Sequence, residues 1–110
     1  MLALRLGTLR HRVTLQQEAR VADGGGGFTV TWQDVATVWA RVAPIRGEEA
    51  LVHRQLEDAI THKVTMRYRA GVTAAMRLVH NGRVFNIREV LDLDERNRIL
   101  ELRCEENVAV

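Results

Sequence analysis

At 110 residues the chain has the usual size of one domain and enough length to bury a core. Hydrophobic residues at 46% and charged residues at 27% are ordinary for a soluble globular protein, and no apolar run reaches the ~20 residues of a membrane span. The net charge of +2, with fifteen arginines and one lysine, is too small to indicate a DNA-binding domain, which usually concentrates a basic face. The first residues lack the length and cleavage pattern of a signal peptide, and a single cysteine forms no internal disulfide, so we expect synthesis and folding in a cytoplasm.

The first part of the chain predicts three strands. Apolar and polar positions alternate over residues 9–16, which is typical of a strand with one buried face. Residues 28–32 are rich in β formers and follow the four glycines of residues 22–27, which favour a flexible hairpin tip because glycine loses the most backbone entropy on ordering. A third strand is expected over residues 37–44, where a proline ends it.

The pattern changes to a helical one and then returns to a strand. Residues 47–58 are good helix formers with acids in the first turn, and they predict one helix of about three turns. Residues 60–69 alternate again, with Val64, Met66 and Tyr68 expected on the inward face.

Residues 76–105 predict a three-stranded β-meander with both turns marked. Asn81 and Gly82 lie between two β-rich runs and supply the two positive φ angles of a tight type I′ turn. The polar residues 92–97 mark the second turn, after which charged residues alternate with Leu100, Leu102 and Cys104.

Together these elements predict an all-β fold. We expect a small antiparallel β-barrel or sandwich of six to seven strands with one short inserted helix, because closure of the sheet removes exposed edges. The sequence contains no linker or internal repeat, so residues 1–110 are predicted to form a single domain.

The sequence offers no enzymatic or metal site. It contains no serine, so a Ser-His-Asp arrangement is impossible. Cys104 alternates in step with two leucines and is predicted to be a buried structural thiol. The four histidines lack the spacing of zinc ligands, and His11 and His62 are predicted to be hydrogen-bonded interior residues. We therefore expect no enzymatic activity and no cofactor.

A set of short segments, taken in order and with their spacing, carries a family resemblance over nearly the whole chain, from about residue 9 to residue 105. The segments are Leu9-Arg10-His11-Arg12-Val13, Trp32 with Val38-Trp39-Ala40, Thr61-His62-Lys63-Val64, Arg67-Tyr68-Arg69, Gly71, Met76-Arg77, Gly82-Arg83-Val84-Phe85 with Ile87, and Asp94-Glu95-Arg96-Asn97-Arg98. This set resembles the phage head-tail joining family. Members of that family are the head-closure, or stopper, proteins of long-tailed phages and of phage-derived gene transfer agents.

The resemblance implies a structural protein in the neck of a phage or phage-like particle. It implies a six- or twelve-fold homo-oligomeric ring, with an adaptor or portal ring above it and tail terminator or tail tube proteins below. It further implies that DNA passes through the channel without sequence specificity, that no membrane is involved, and that the particle is assembled in the bacterial host cytoplasm. The alternative is a small OB-like nucleic-acid-binding barrel, although the aromatic residues are scattered over several strands instead of forming a stacking platform.

Two segments that a barrel does not need for its stability are predicted to carry inter-subunit contacts. One is the glycine-rich loop and the other is the predicted helix, which has the equal alternative of capping one end of the barrel. The candidate interface residues are Gly24, Gly25, Gly26, Gly27, Phe28, Arg46, Glu48, Glu49, Arg54, Glu57 and Asp58.

Overall fold

A computed structural model describes residues 9–45 and 60–107, apart from the side chains of Asp94 and Asn107. These residues form six strands and a single-turn 3₁₀ helix at Leu93–Glu95. The strands are β1 (His11–Ala22), β2 (Phe28–Pro44), β3 (His62–Arg67), β4 (Arg77–His80), β5 (Arg83–Asp92) and β6 (Ile99–Asn107). The helix predicted over residues 47–58 lies outside the described residues. In the part of the chain that is described, no helix has the length and apolar character needed to cross a membrane.

The six strands close into an antiparallel barrel. Their order around it is β1-β2-β3-β6-β5-β4, and every neighbouring pair is antiparallel. The β1–β4 contact that completes the ring consists of three residue pairs, centred on Leu15 and Leu78. The predicted all-β barrel is thus confirmed, and its closure leaves no free edge along the paired part of the sheet.

The barrel interior is filled by the alternating apolar residues of all six strands. The fully buried side chains include Val13, Leu15, Val64, Met66, Leu78, Phe85, Ile87, Leu102 and Cys104. Burying each large apolar side chain contributes about 1.5–3 kcal/mol. The predicted inward faces are confirmed with one exception: Tyr68 was predicted to face inward, but β3 ends at Arg67 and the Tyr68 side chain is 39% exposed.

Both predicted turns of the meander are confirmed. Asn81 and Gly82 have φ angles of 51° and 77°, the left-handed conformation that a type I′ turn requires. In the second turn Asn97 also has a positive φ of 55°, and its backbone N–H donates to the Asp92 carboxylate at 3.2 Å. An Asp side chain that bonds a nearby amide is a usual way of fixing such a turn.

β2 is one strand of 17 residues, where the sequence predicted two. Leu15 pairs with Ala36 but Gln16 pairs with Asp34, so Val35 has no partner and forms a β-bulge. At the bulge, the alternation between inward and outward side chains shifts by one position. This interrupts the period of two, so the sequence pattern looks like a break between two separate strands. The barrel therefore has six strands rather than seven.

Beyond the bulge, β1 and β2 leave the barrel together as a two-stranded arm, residues 17–33. β1 pairs with β4 only as far as Gln16, and β2 pairs with β3 only from Ala40 onward. Within the described residues the two strands of the arm pair solely with each other. The principal-axis extents are 53 × 29 × 26 Å. The predicted first strand ended at residue 16 and thus missed this extension.

Candidate inter-subunit interface

The tip of the arm is a glycine loop organised by one carboxylate. Asp23 Oδ1 accepts hydrogen bonds from the backbone N–H of Gly25 at 2.8 Å and of Gly27 at 3.1 Å, and Asp23 N–H donates to the Gly27 carbonyl at 3.1 Å. Gly24 and Gly26 have φ angles of 83° and 87°, which side chains rarely permit. A Cβ at Gly27 would lie 2.9 Å from Asp23 Oδ2. The predicted hairpin tip is confirmed, and Asp23 sets its shape.

Exposed apolar side chains cluster next to this loop. Phe28 is 67% exposed and Val30 is 49% exposed. Both lie on the same face of the arm as Trp32, because the three residues alternate along β2. Val21, 52% exposed, lies on the other face. Neighbouring apolar residues that remain exposed often mark an interaction surface.

Arg77 of β4 attaches the base of the arm to the barrel. Its guanidinium carbon lies 4.2 Å from the centroid of the Trp32 ring, a cation–π contact, and its Nε donates to Gln16 Oε1 at 2.7 Å. Gln16 Nε2 in turn donates to Asp34 Oδ1 at 2.8 Å. Burial in this position lowers the pKa of Arg77. The contacts join both strands of the arm to β4 and thereby fix the direction in which the arm leaves the barrel.

A groove of about 570 Å³ lies where β2 and β3 separate. The last residue pair between these strands is Ala40 with Met66, beyond which β2 continues into the arm and β3 ends. The groove is lined by apolar and aromatic side chains and by two arginines: Leu9, Val38, Trp39, Met66, Tyr68, Arg67 and Arg69. Neither Arg67 nor Arg69 forms an ion pair with the described residues.

The opposite end of the barrel carries a charged hydrogen-bond cluster. Arg83 donates from Nε and Nη2 to the two carboxylate oxygens of Glu106 at 2.8 and 2.9 Å. This bidentate bond raises the pKa of Arg83 and lowers the pKa of Glu106. His62 Nε2 lies 3.3 Å from Arg83 Nη2, and the pKa of His62 is lowered mainly because burial disfavours its charged form. The cluster joins β3, β5 and β6.

The other predicted interior groups behave as expected. His11 is half-buried, and its Nδ1 accepts a hydrogen bond from the Val42 N–H at 3.2 Å. Cys104 is fully buried, and burial raises its pKa to about 12. A thiol with such a pKa is not a nucleophile at neutral pH, which agrees with the predicted structural role. Across residues 9–45 and 60–107, no group of three or more His, Cys, Asp or Glu side chains is arranged to hold a metal ion.

The structure brings five of the eleven predicted interface residues together at one place. The four glycines and Phe28 form the tip of the arm. The remaining six, Arg46, Glu48, Glu49, Arg54, Glu57 and Asp58, lie outside the described residues. The sequence pattern gave no sign of the groove or of the contact of Arg77 with Trp32, because both depend on strand pairing across the barrel. The alternation of Phe28, Val30 and Trp32 was the available signal for an exposed apolar face.

Comparison with known proteins identifies the family. Residues 4–107 match the family model described as phage head completion protein, so the chain belongs to that family. A protein of Shigella flexneri 2a, solved in solution, is 31% identical, with 94% of this chain and 96% of that chain covered and a TM-score of 0.77. A chain in the virion of the native gene transfer agent particle is 24% identical, with 91% and 96% covered and a TM-score of 0.60. A comparison with curated proteins gave no match.

Family membership confirms the resemblance found in the sequence. The family is a structural one, and the protein has a structural role in the head-tail region of a phage or phage-like particle. It is therefore a virion-associated protein that assembles with other components of the particle. The gene transfer agent chain has the same fold, at lower sequence identity.

Proposed function

We propose that the protein is a head-closure, or stopper, subunit that forms a ring in the neck of the particle. The ring joins a portal or adaptor ring above to tail terminator or tail tube proteins below, and it assembles in the host cytoplasm with six- or twelve-fold symmetry. The observation that carries the proposal is the arm. Its residues 17–33 are not needed to close the barrel, yet they project from it and present exposed Phe28 and Val30. Features that stability does not demand usually serve binding.

The charges on the barrel wall support a channel through which DNA passes without tight or sequence-specific binding. Several cations are already paired with carboxylates of neighbouring strands. Arg103 of β6 lies 3.7 Å from the Glu89 carboxylate of β5, and Arg88 of β5 pairs with Glu105 of β6. Paired arginines have less free charge for phosphate contacts, which supply most of the non-specific affinity of proteins for DNA. For the alternative of a nucleic-acid-binding barrel, Phe85 is buried in the core and cannot stack on a base, and on the described barrel wall only Trp39 and Tyr68 are exposed aromatic side chains.

The segment of residues 46–58 is proposed as a second contact region on its sequence alone. Its acids, Glu48 and Glu49 among them, suit arginine-rich neighbours. Charge reversal at Glu48 and Glu49 tests this part of the proposal. We expect the folded variant to lose tail attachment. Wild-type yields of joined particles from a folded variant would exclude these two residues from the contact.

Deletion of the gene in particle-producing cells tests the function itself. We expect electron micrographs of filled heads without tails, and we expect tails to return when the wild-type gene is supplied. A second variant, in which residues 19–31 are replaced by Asn-Gly, keeps the barrel and removes most of the arm. It should fold, as judged by circular dichroism and urea unfolding, and fail to restore tails. Tailed, infective particles in the deletion strain would contradict the proposed function.

A further inference from the structure

We propose that the arm tip of one subunit docks in the groove of a second copy of this chain. The inference rests on the proposed function, because a ring places identical subunits side by side. It assigns an occupant to the groove and a target to the exposed tip, two surfaces that no described residue of the same chain covers.

A subunit cannot fill its own groove with its own tip. Phe28 at the tip and Trp39 at the groove are both on β2, eleven positions apart. At about 3.3 Å per residue, an extended strand separates them by roughly 36 Å. The contacts of Arg77 with Trp32 and Gln16 hold the base of the arm against β4, on the side of β1 away from β3. The tip therefore does not reach the groove of its own subunit.

The two surfaces match in chemistry. The groove has apolar walls that include Val38 and Met66, and its arginines Arg67 and Arg69 form no ion pair with the described residues. The tip, residues 21–30, exposes three large apolar side chains and carries one charged residue, Asp23. Asp23 Oδ1 accepts both loop hydrogen bonds, and Oδ2 accepts none from the described residues. An apolar tip with one carboxylate thus meets an apolar groove with two cations.

The contact is head-to-tail. One subunit supplies the arm and its neighbour supplies the groove, so each bound pair still has one free arm and one free groove. Repetition of such a contact produces a closed ring or an open filament. A few side chains of one hairpin tip bury less than the ~1,600 Å² of a standard interface, so the contact is weak between free subunits. It becomes strong when a neighbouring ring holds the subunits together and raises their effective concentration.

Disulfide trapping tests the contact directly, because Cys104 is buried and does not compete. The variants Phe28→Cys and Tyr68→Cys are purified separately, mixed at high concentration and oxidised. We expect a cross-linked heterodimer in at least tenfold excess over a control mixture of Phe28→Cys with Arg88→Cys. Arg88 is exposed on β5, which lies opposite β2 in the strand order. Equal yields from the two mixtures would overturn the inference.

A charge variant provides a second, independent test of the contact. Reversal of both groove arginines, Arg67→Glu with Arg69→Glu, should lower the yield of the Phe28–Tyr68 cross-link about tenfold, because two exposed attractions become repulsions. An unchanged yield would remove the arginines from the contact and contradict the inference. Failure of this inference and failure of the proposed function give different experimental results. If gene deletion abolishes tail joining while the cross-link is absent, the stopper function stands and the arm binds another protein.

Discussion

The same two strands, β1 and β2, build two regions with opposite properties. In the barrel, Val13 and Ala40 are completely buried because other strands flank β1 and β2 and the barrel encloses a core. In the arm, Val21 and Phe28 on those same strands are more than half exposed. A two-stranded ribbon has no opposing layer in which to bury a face, and it is marginally stable by itself. Neighbouring strands, rather than the sequence of a strand, therefore decide which apolar residues stabilise the fold and which remain available for binding.

Truncation of one large apolar residue in each region should give the largest difference in the free energy of unfolding. Leu102→Ala in the barrel should lower the free energy of unfolding by about 2–5 kcal/mol, because it removes a buried side chain and leaves a cavity. Phe28→Ala at the arm tip should change it by less than ~0.5 kcal/mol, since the ring is mostly exposed. Urea unfolding of both variants measures the difference. Similar losses would mean that the arm is part of the cooperative core.

Removal of the Asp23 carboxylate should destabilise the tip of the arm without destabilising the barrel. Asp23→Ala loses two charge-assisted hydrogen bonds to the loop amides and should destabilise the tip by about 1–3 kcal/mol. Amide exchange at Gly25 and Gly27 should accelerate, while exchange in β6 stays at the wild-type rate. Asp34→Ala, an acid at the base of the arm, is the matched control and should leave the tip amides unchanged. Protection of Gly25 and Gly27 at the wild-type level would contradict the assigned role of Asp23.

Arg77 connects the two regions, and its replacement has a smaller effect. Arg77→Met keeps much of the length of the side chain but loses the cation–π contact with Trp32 and the hydrogen bond to Gln16. We expect a loss of about 1 kcal/mol in the free energy of unfolding. We also expect a change in Trp32 fluorescence that Arg12→Met, next to Trp39, does not produce. Unchanged Trp32 emission would show that the arm base is held by the strand pairing alone.

The smallest expected effect is the pH dependence of the barrel end that lies away from the arm. Glu106 has its pKa lowered by Arg83, so its contribution to stability is present above about pH 4.5 and is lost as the pH falls through the folded-state value. His62 also has a lowered pKa, so below about pH 6.5 the unfolded chain binds the proton more readily and stability falls further. The Arg83→Met variant should lose less than about 1 kcal/mol at neutral pH and show a shallower decline in acid. An identical pH profile of urea midpoints would exclude this ion pair as a source of pH dependence.

Local chemistry made the turns and inward faces predictable from the sequence. Asn81-Gly82 specifies its turn through two φ angles that few other residues adopt, and the alternation at Leu100 and Leu102 fixes the face of β6. The errors arise where distant pairing overrides local pattern. The bulge at Val35 breaks the period of two inside β2, and Tyr68 lies one residue past the end of β3. The groove was beyond sequence reasoning, because strands remote from one another in the chain create it.

Closure of the barrel also affects when a newly made subunit becomes competent to assemble. Gln16 and Arg77, which pair at the β1–β4 contact, are 61 positions apart in the chain. Domains dominated by such long-range pairing fold in milliseconds to seconds, whereas an isolated β-hairpin forms in about 1–10 μs. The arm can therefore form early, but the groove exists only after β3 has paired with β2. If the arm docks in the groove of a neighbour as proposed, slow folding delays the linking of subunits until each one has both surfaces, and this limits premature polymerisation during synthesis.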